Sequence, residues 1–256
     1  MHQTLKNTVY LLLTISSFMV HTSERQHITL AFYADPNTNS EVKWGELIYT
    51  EAFSRLNVDF SYIVLPAIRA SRMADLGKID GEAGRAANYG TMHPNLVRIN
   101  EPLISGKLSA FTYDPLIDIH SWEDIQNSQY TVEYYRGTYL AQQRLSQYVN
   151  SDRVSNSSTP NESLYTLMRP KWGGRIDIYI GIDTFTNDIL ATPEFSDTNI
   201  RMQAQLEEIT FYGYLYKSHS DLAEKLAKVF RQMKAEGIFE SYYQQATLFI
   251  NSKRIP

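Results

Sequence analysis

Apolar positions switch repeatedly between a period of two and a period near 3.6, and the switches divide the chain into short strands and helices. Ile28-Thr29-Leu30-Ala31-Phe32-Tyr33 is rich in β-formers and is closed by the breaker pair Asp35-Pro36. Trp44, Leu47, Ile48, Ala52 and Leu56 then fall on one helical face over 43–56, and Asn57 stops the helix. Val58, Phe60, Tyr62 and Val64 alternate with their neighbours as a second strand that ends at Pro66. A helix over 67–76, ended by Gly77, leads through 79–84 back into a sheet. The chain therefore opens β-α-β, which predicts a parallel sheet with ligands at the carboxyl ends of its strands.

The same order restarts after a strand at 108–113 and the breaker Asp114-Pro115. A short helix begins at Trp122, a strand spans 130–134, and a helix spans 137–149. The stretch 150–161 is polar and reads as a loop, 163–168 reads as helix, and 176–182 reads as a buried strand interrupted by Asp177 and Gly181. The tail returns with a strand at 211–216 and a helix at 222–236, where Asp221 and Glu224 form a capping-box pattern and Gly237 ends the helix. Two α/β units in one chain imply two lobes.

Before these units, Lys6 precedes an apolar run at 9–20 and a polar segment beginning at His21. The run is too short to span a bilayer and has the form of a secretory signal peptide over 1–23. No Ala-x-Ala marks a cleavage site, so retention as an uncleaved anchor is the alternative. The 256 residues contain no cysteine, which removes disulfides, thiolate metal sites and lipid attachment at a mature N-terminal cysteine. An exported, periplasmic protein that is not a lipoprotein is the expectation. With 24 Lys+Arg against 28 Asp+Glu there is no basic excess to neutralise a phosphate backbone, so nucleic acid is not an expected partner. The 18 tyrosines suit a cleft that recognises small molecules through rings with polar tips, and they serve equally as amphipathic core filler.

Particular stretches carry a resemblance. Met73-Ala74-Asp75-Leu76-Gly77-Lys78-Ile79-Asp80-Gly81 is followed in order by Ser121-Trp122-Glu123-Asp124-Ile125, Tyr135-Arg136-Gly137-Thr138, Gly174-Arg175-Ile176-Asp177 and Lys234-Ala235-Glu236-Gly237. This succession resembles the family 3 bacterial extracellular solute-binding proteins, which have the type 2 periplasmic binding protein fold, and it covers nearly everything after Glu24. The resemblance implies an α/β fold of two lobes, each a mostly parallel sheet flanked by helices. Two crossing strands near Ser105-Gly106 and 203–209 would join the lobes and act as a hinge. Lobe one would comprise 24–105 plus 209–256, and lobe two 106–208.

Candidate binding residues follow from both readings. Gly137-Thr138 lies at a strand-to-helix corner, where free N–H groups and the helix dipole favour an anion, or where Thr138 is a plain cap. In the family this corner meets a ligand carboxylate. Asp183 follows a strand at its cleft end and matches the family position that pairs with an α-amino group; as a helix cap it would have the same identity. Arg85 ends the strand near Asp80 and could clamp a carboxylate with both nitrogens. The family's amino-acid binders carry Thr-x-x-Arg a few residues later, where this chain has Asn88-Tyr89-Gly90-Thr91-Met92-His93-Pro94, so the departure weighs against an amino-acid ligand. Arg69 and Arg136 are further candidates, with Arg72 on the same helix face as Arg69. Among aromatics that could stack on a ligand, Trp44 and Trp172 stand aside in favour of Tyr33 and Tyr89, which border strand ends.

Nucleophile elbows, phosphate loops, Gly-x-Gly-x-x-Gly and His-Glu-x-x-His are absent, and the 6 His are isolated, so neither cofactor nor metal is expected. The expected function is binding, not catalysis: a monomeric protein capturing a small anionic or zwitterionic metabolite, amino-acid-like ligands included. It would hand the ligand to a membrane transporter permease, as in ABC transport, or to a sensor protein. The alternative is a small-acid dehydratase on the same fold, with Asp183, Glu82 or Glu101 as acid or base.

Overall fold

The computed structural model describes residues 25–170 and 173–254, so the export segment and Trp172 lie outside the described residues. The first lobe opens with β1 (His27–Phe32), α1 (Ser40–Arg55), β2 (Asp59–Val64), α2 (Ala67–Asp75) and β3 (Gly81–Ala86). Strand β1 pairs in parallel with β2 on one side and β3 on the other. Asn39 caps α1 by accepting the Val42 N–H at 2.9 Å, and Asn57 leaves the helix with φ 55°. Gly77 takes φ 65° after α2, against the ring of Tyr216, where a Cβ would be both strained and crowded.

After the short β4 (Leu96–Arg98), β5 (Ile104–Thr112) leads into the second lobe. It holds α3 (Trp122–Asn127), β6 (Val132–Tyr135), α4 (Tyr139–Tyr148), β7 (Val154–Ser157), α5 (Pro160–Met168), β8 (Ile178–Ile182) and α6 (Asp183–Leu190). Strand β9 (Arg201–Tyr216) returns, followed by α7 (Ser220–Ala235) and α8 (Ile238–Arg254). The sheet order is β2-β1-β3-β9-β5-β8-β6-β7, with β4 on β9. Strands β5 and β9 pair antiparallel from Ile104 opposite Phe211 to Thr112 opposite Arg201. These two strands connect two separate cores. Leu103 and Leu215 belong to one core with Ile28, Leu30 and Phe32 of β1 and with residues of α1 and α7; Leu108 and Ala204 belong to another with Ile125, Leu145 and Ile178.

Differences from the sequence-based reading have local causes. The polar stretch 150–161 contains β7, an edge strand paired in parallel with β6, whose backbone pairing holds it without a hydrophobic alternation. Asp221 and Glu224 do not form a capping box, because α7 begins at Ser220 and its cap position, His219, makes no side-chain capping bond. The residues after Gly237 form a full helix, α8, whose Phe239 and Tyr243 pack edge-on against Trp44 of α1. Helix α5 begins at Pro160, ahead of the expected 163, because Thr159 accepts the Glu162 N–H.

An aromatic cluster fixes the first core: Phe230 of α7, fully buried, meets Tyr49 at 5.6 Å and Phe239 at 5.9 Å in edge-to-face contacts. Replacement Phe230→Ala removes both contacts and leaves a cavity. The expected loss is about 3–5 kcal/mol of stability by denaturant titration; a loss below about 1 kcal/mol would mean that the cluster does not anchor α7 and α8.

Candidate ligand-binding cleft

A cavity of about 390 Å³ opens between the lobes, where β1, β3, β6 and β8 end. Its position follows from the topology, since parallel strands direct their carboxyl ends to one edge of each sheet. Tyr33 lies one residue past β1, Arg85 is on β3, and Tyr89 is in the 3₁₀ turn that follows. Arg136, Gly137 and Thr138 form the corner between β6 and α4. All six of these sequence-derived residues line the cavity.

Arg69 and Asp183 do not. Arg69 is exposed on α2 and outside the lining, whereas Arg72, one turn on, is in it. Asp183 is buried at the start of α6 and is not in the lining. Its Oδ1 accepts the Lys107 N–H at 2.9 Å and the Thr184 N–H at 2.8 Å, tying α6 to β5 where that strand crosses between lobes.

The Arg85 guanidinium is engaged on three sides. Its Nε donates to Glu82 Oε2 at 2.5 Å, and its Nη2 donates to the Ala67 carbonyl at 2.9 Å and to Ser71 Oγ at 3.2 Å. Glu82 is 1% exposed, and its other oxygen accepts the Tyr89 hydroxyl at 2.5 Å. Burial is the largest single influence and works against the Arg85 charge, yet Glu82, Tyr89 and Tyr135 together outweigh it and hold the guanidinium protonated. Burial pushes the Tyr89 hydroxyl well above its ordinary range, so Tyr89 is a neutral donor. At the α4 corner Thr138 makes no side-chain capping bond, and its N–H donates to the Tyr135 carbonyl at 2.9 Å.

Sequence reading missed Tyr135, Tyr179, Phe185, Ile209 and Phe211, which also line the cavity. Tyr135 ends β6 and Phe185 follows β8, so an aromatic at the carboxyl end of a parallel strand was the available signal. Ile209 and Phe211 lie on β9, beside the crossing, and have no such signal. Tyr33, Tyr89, Tyr135, Tyr139 and Tyr179 account for five of the 18 tyrosines.

The lobes touch around the cavity. Tyr33 and Phe185 meet edge to face at 5.2 Å, and Ala67 approaches the β6 corner so closely that a Cβ on Gly137 would lie 2.6 Å from its own. Asp188 of α6 accepts the Ser40 N–H at 2.8 Å and the Ser40 hydroxyl at 2.7 Å, at the first turn of α1. Beside this contact Glu41 is 6% exposed, and burial raises its carboxyl to about 7; the Thr184 hydroxyl pulls it partly back while Asp188 and Asp183 push it further up.

This architecture, two α/β lobes joined by two crossing strands around a cleft, is the type 2 periplasmic binding protein fold. Solved structures that share it include the P235GK mutant of ArgBP from T. maritima (TM-score 0.68, 15% identity, 86% of this chain and 95% of that one). An ancestral arginine-binding protein bound to arginine matches with TM-score 0.68 and 15% identity over 86% of this chain and 98% of that one. A histidine kinase sensor domain with similarity to periplasmic binding proteins matches with TM-score 0.67 and 12% identity over 86% and 95%. No family model matches the sequence. A protein of Shewanella oneidensis, described as uncharacterized, is 46% identical over 219 residues, 86% of this chain and 81% of its own length. The chain belongs to the family of that Shewanella protein.

The Glu41 carboxyl yields a pH prediction with a definite sign. Its value is about 7 in the assembled structure against 4.5 when hydrated, so the folded, lobe-closed state binds more protons between those values. Stability falls as pH rises from about 4.5 to 7 and this contribution is constant above. Glu41→Gln should flatten thermal stability across that window by up to about 3 kcal/mol relative to the parent; identical pH profiles for the two proteins would contradict a buried, protonated Glu41.

Proposed function

We propose that the chain is an exported solute-binding protein that closes its two lobes on a small polar metabolite, in the manner of the family 3 extracellular solute-binding proteins. The observation that carries this reading is the cavity itself, built at strand carboxyl ends and walled by side chains of both lobes. Lobe one comprises 24–105 plus 209–256, lobe two 106–208, and the hinge lies where β5 and β9 cross. Residues 1–23 direct export to the periplasm. Tyr33, Tyr89, Arg136, Gly137 and Thr138 meet the ligand directly; Arg85 shapes the floor from within its pairing to Glu82. Arg69 and Asp183 act from outside the cavity, on the helix rim and at the hinge. The protein works as a monomer and delivers its ligand to a membrane transporter permease or to a sensor protein.

The cleft favours capture over dehydration chemistry. Glu82 is held by Arg85 and Tyr89, Asp183 by backbone N–H groups, and Glu101 by Lys234 at 2.7 Å and Arg231 at 3.3 Å on the α7 side. None of these carboxylates lines the cavity. A general acid or base must come within hydrogen-bond reach of the proton it moves.

Small molecules released from the purified, denatured protein and identified by mass spectrometry test the reading. The expected result is one stoichiometric metabolite whose return to ligand-free protein lowers the radius of gyration in small-angle scattering. An empty protein whose envelope is unchanged by periplasmic extract metabolites would overturn it.

A further inference from the structure

We propose that the cleft selects organic anions with an aromatic or bulky apolar body and no ammonium group, so that free amino acids are poor ligands. This substrate class rests on the solute-binding reading above and narrows it.

The cavity wall is apolar over most of its extent. Tyr33, Tyr89, Tyr135, Tyr179, Phe185 and Phe211 supply rings, and Ile68, Met92, Leu140, Ile182 and Ile209 fill between them. Ile68 and Met92 are 62% and 51% exposed, although both face the cavity, which leaves apolar surface at its mouth for a ligand to cover. A volume of about 390 Å³ is near the lower end of the range for small-molecule pockets, roughly 300–1,000 Å³, and suits a body of one or two rings.

The charges around this wall have one sign. Arg72, Arg85 and Arg136 line the cavity, and among the described residues no Asp or Glu does. Glu82 neutralises Arg85 from behind. Arg72 and Arg136 are exposed and have no carboxylate within ion-pair distance among the described residues; the Arg136 side chain donates to the Ser157 carbonyl and to the Ser158 hydroxyl. An anion at the mouth would meet two guanidinium groups with no carboxylate partner among the described residues.

An ammonium group would find the opposite. Removing it from water into this cavity costs free energy that only a carboxylate or several acceptors would offset. Asp183, the residue matching the family's α-amino partner, is buried outside the cavity lining, and its Oδ1 accepts the Lys107 and Thr184 N–H groups. Glu41 does not line the cleft; it borders an adjoining cavity of about 30 Å³, room for little more than a water. Aromatic rings alone can hold a cation, but here they share the cavity with the exposed guanidinium groups of Arg72 and Arg136.

Calorimetry with matched probes tests the assignment on the whole mature protein freed of bound metabolite. The probes are 3-phenylpropionate, indole-3-propionate, 3-phenylpropan-1-ol, 2-phenylethylamine, L-phenylalanine and L-arginine. At least one of the two acids should bind about tenfold or more tighter than the alcohol, the amine and both amino acids. Arg72→Ala combined with Arg136→Ala should weaken the acid by about tenfold or more and leave the alcohol within about twofold. L-Phenylalanine or L-arginine binding as tightly as the acids would overturn this substrate class while leaving a solute-binding protein in place. An alcohol as tight as the acids would overturn the anion requirement. Absence of binding by every probe would also overturn the class, and the released-metabolite experiment then judges the solute-binding reading separately.

Discussion

Glu82 and Arg85 form a buried ion pair on which the shape and the charge of the cleft both depend. Glu82 sits almost without solvent access on β3 and binds Arg85 on one side and Tyr89 on the other. Arg85 in turn reaches the Ala67 carbonyl and the Ser71 hydroxyl in the first turns of α2. One ionic cluster therefore fixes a strand, a 3₁₀ turn and a helix start. That helix start carries Ala67 to the Gly137 corner of the other lobe and presents Ile68 and Arg72 to the cavity. The same pairing consumes the cationic charge of Arg85, and so decides which guanidinium groups remain for a ligand.

The remaining architecture brings the two halves of the site together with little of its own chemistry at the contact. Strands β5 and β9 run from one core into the other, and Asp183 fastens α6 to β5 at the crossing. Closure then rests on a few contacts: the Tyr33 and Phe185 rings, the Ala67 approach to Gly137, and the capping of Ser40 by Asp188. An interface that rests on contacts of this size, one of them a hydrogen-bonded Ser40–Asp188 pair, suits opening and closing. Burial there raises the Glu41 carboxyl to about 7, and the neighbouring Asp188 and Asp183 add to the rise.

Much of this was legible in the sequence. The strands at 28–33 and 58–64 and the helix between them declared themselves by period, and Asn57 and Gly77 marked turns that do take positive φ. The strand-to-helix corner at Gly137-Thr138 and the strand-end positions of Tyr33, Arg85 and Tyr89 were accessible because parallel α/β sheets direct strand ends to one edge. What pattern could not supply was partnership. Nothing local says that Arg85 is answered by a residue three positions earlier, since that depends on the bulge in β3 against β9 between Glu82 and Arg85. Nor does it say that Asp183 turns to the Lys107 N–H, a residue 76 positions away. Helix α8 and strand β7 were missed for a related reason: each is held by what it packs or pairs against, not by a strong period of its own.

The ligand-free stability of Arg85→Met, measured by denaturant titration beside the parent, tests this account most directly. A structural ion pair predicts a loss of about 3–5 kcal/mol, because Glu82 is left charged and buried without its partner, and predicts that adding Glu82→Leu recovers part of that loss. Unchanged stability, with loss confined to ligand affinity, would contradict the account and make Arg85 a hydrated clamp that waits for the ligand.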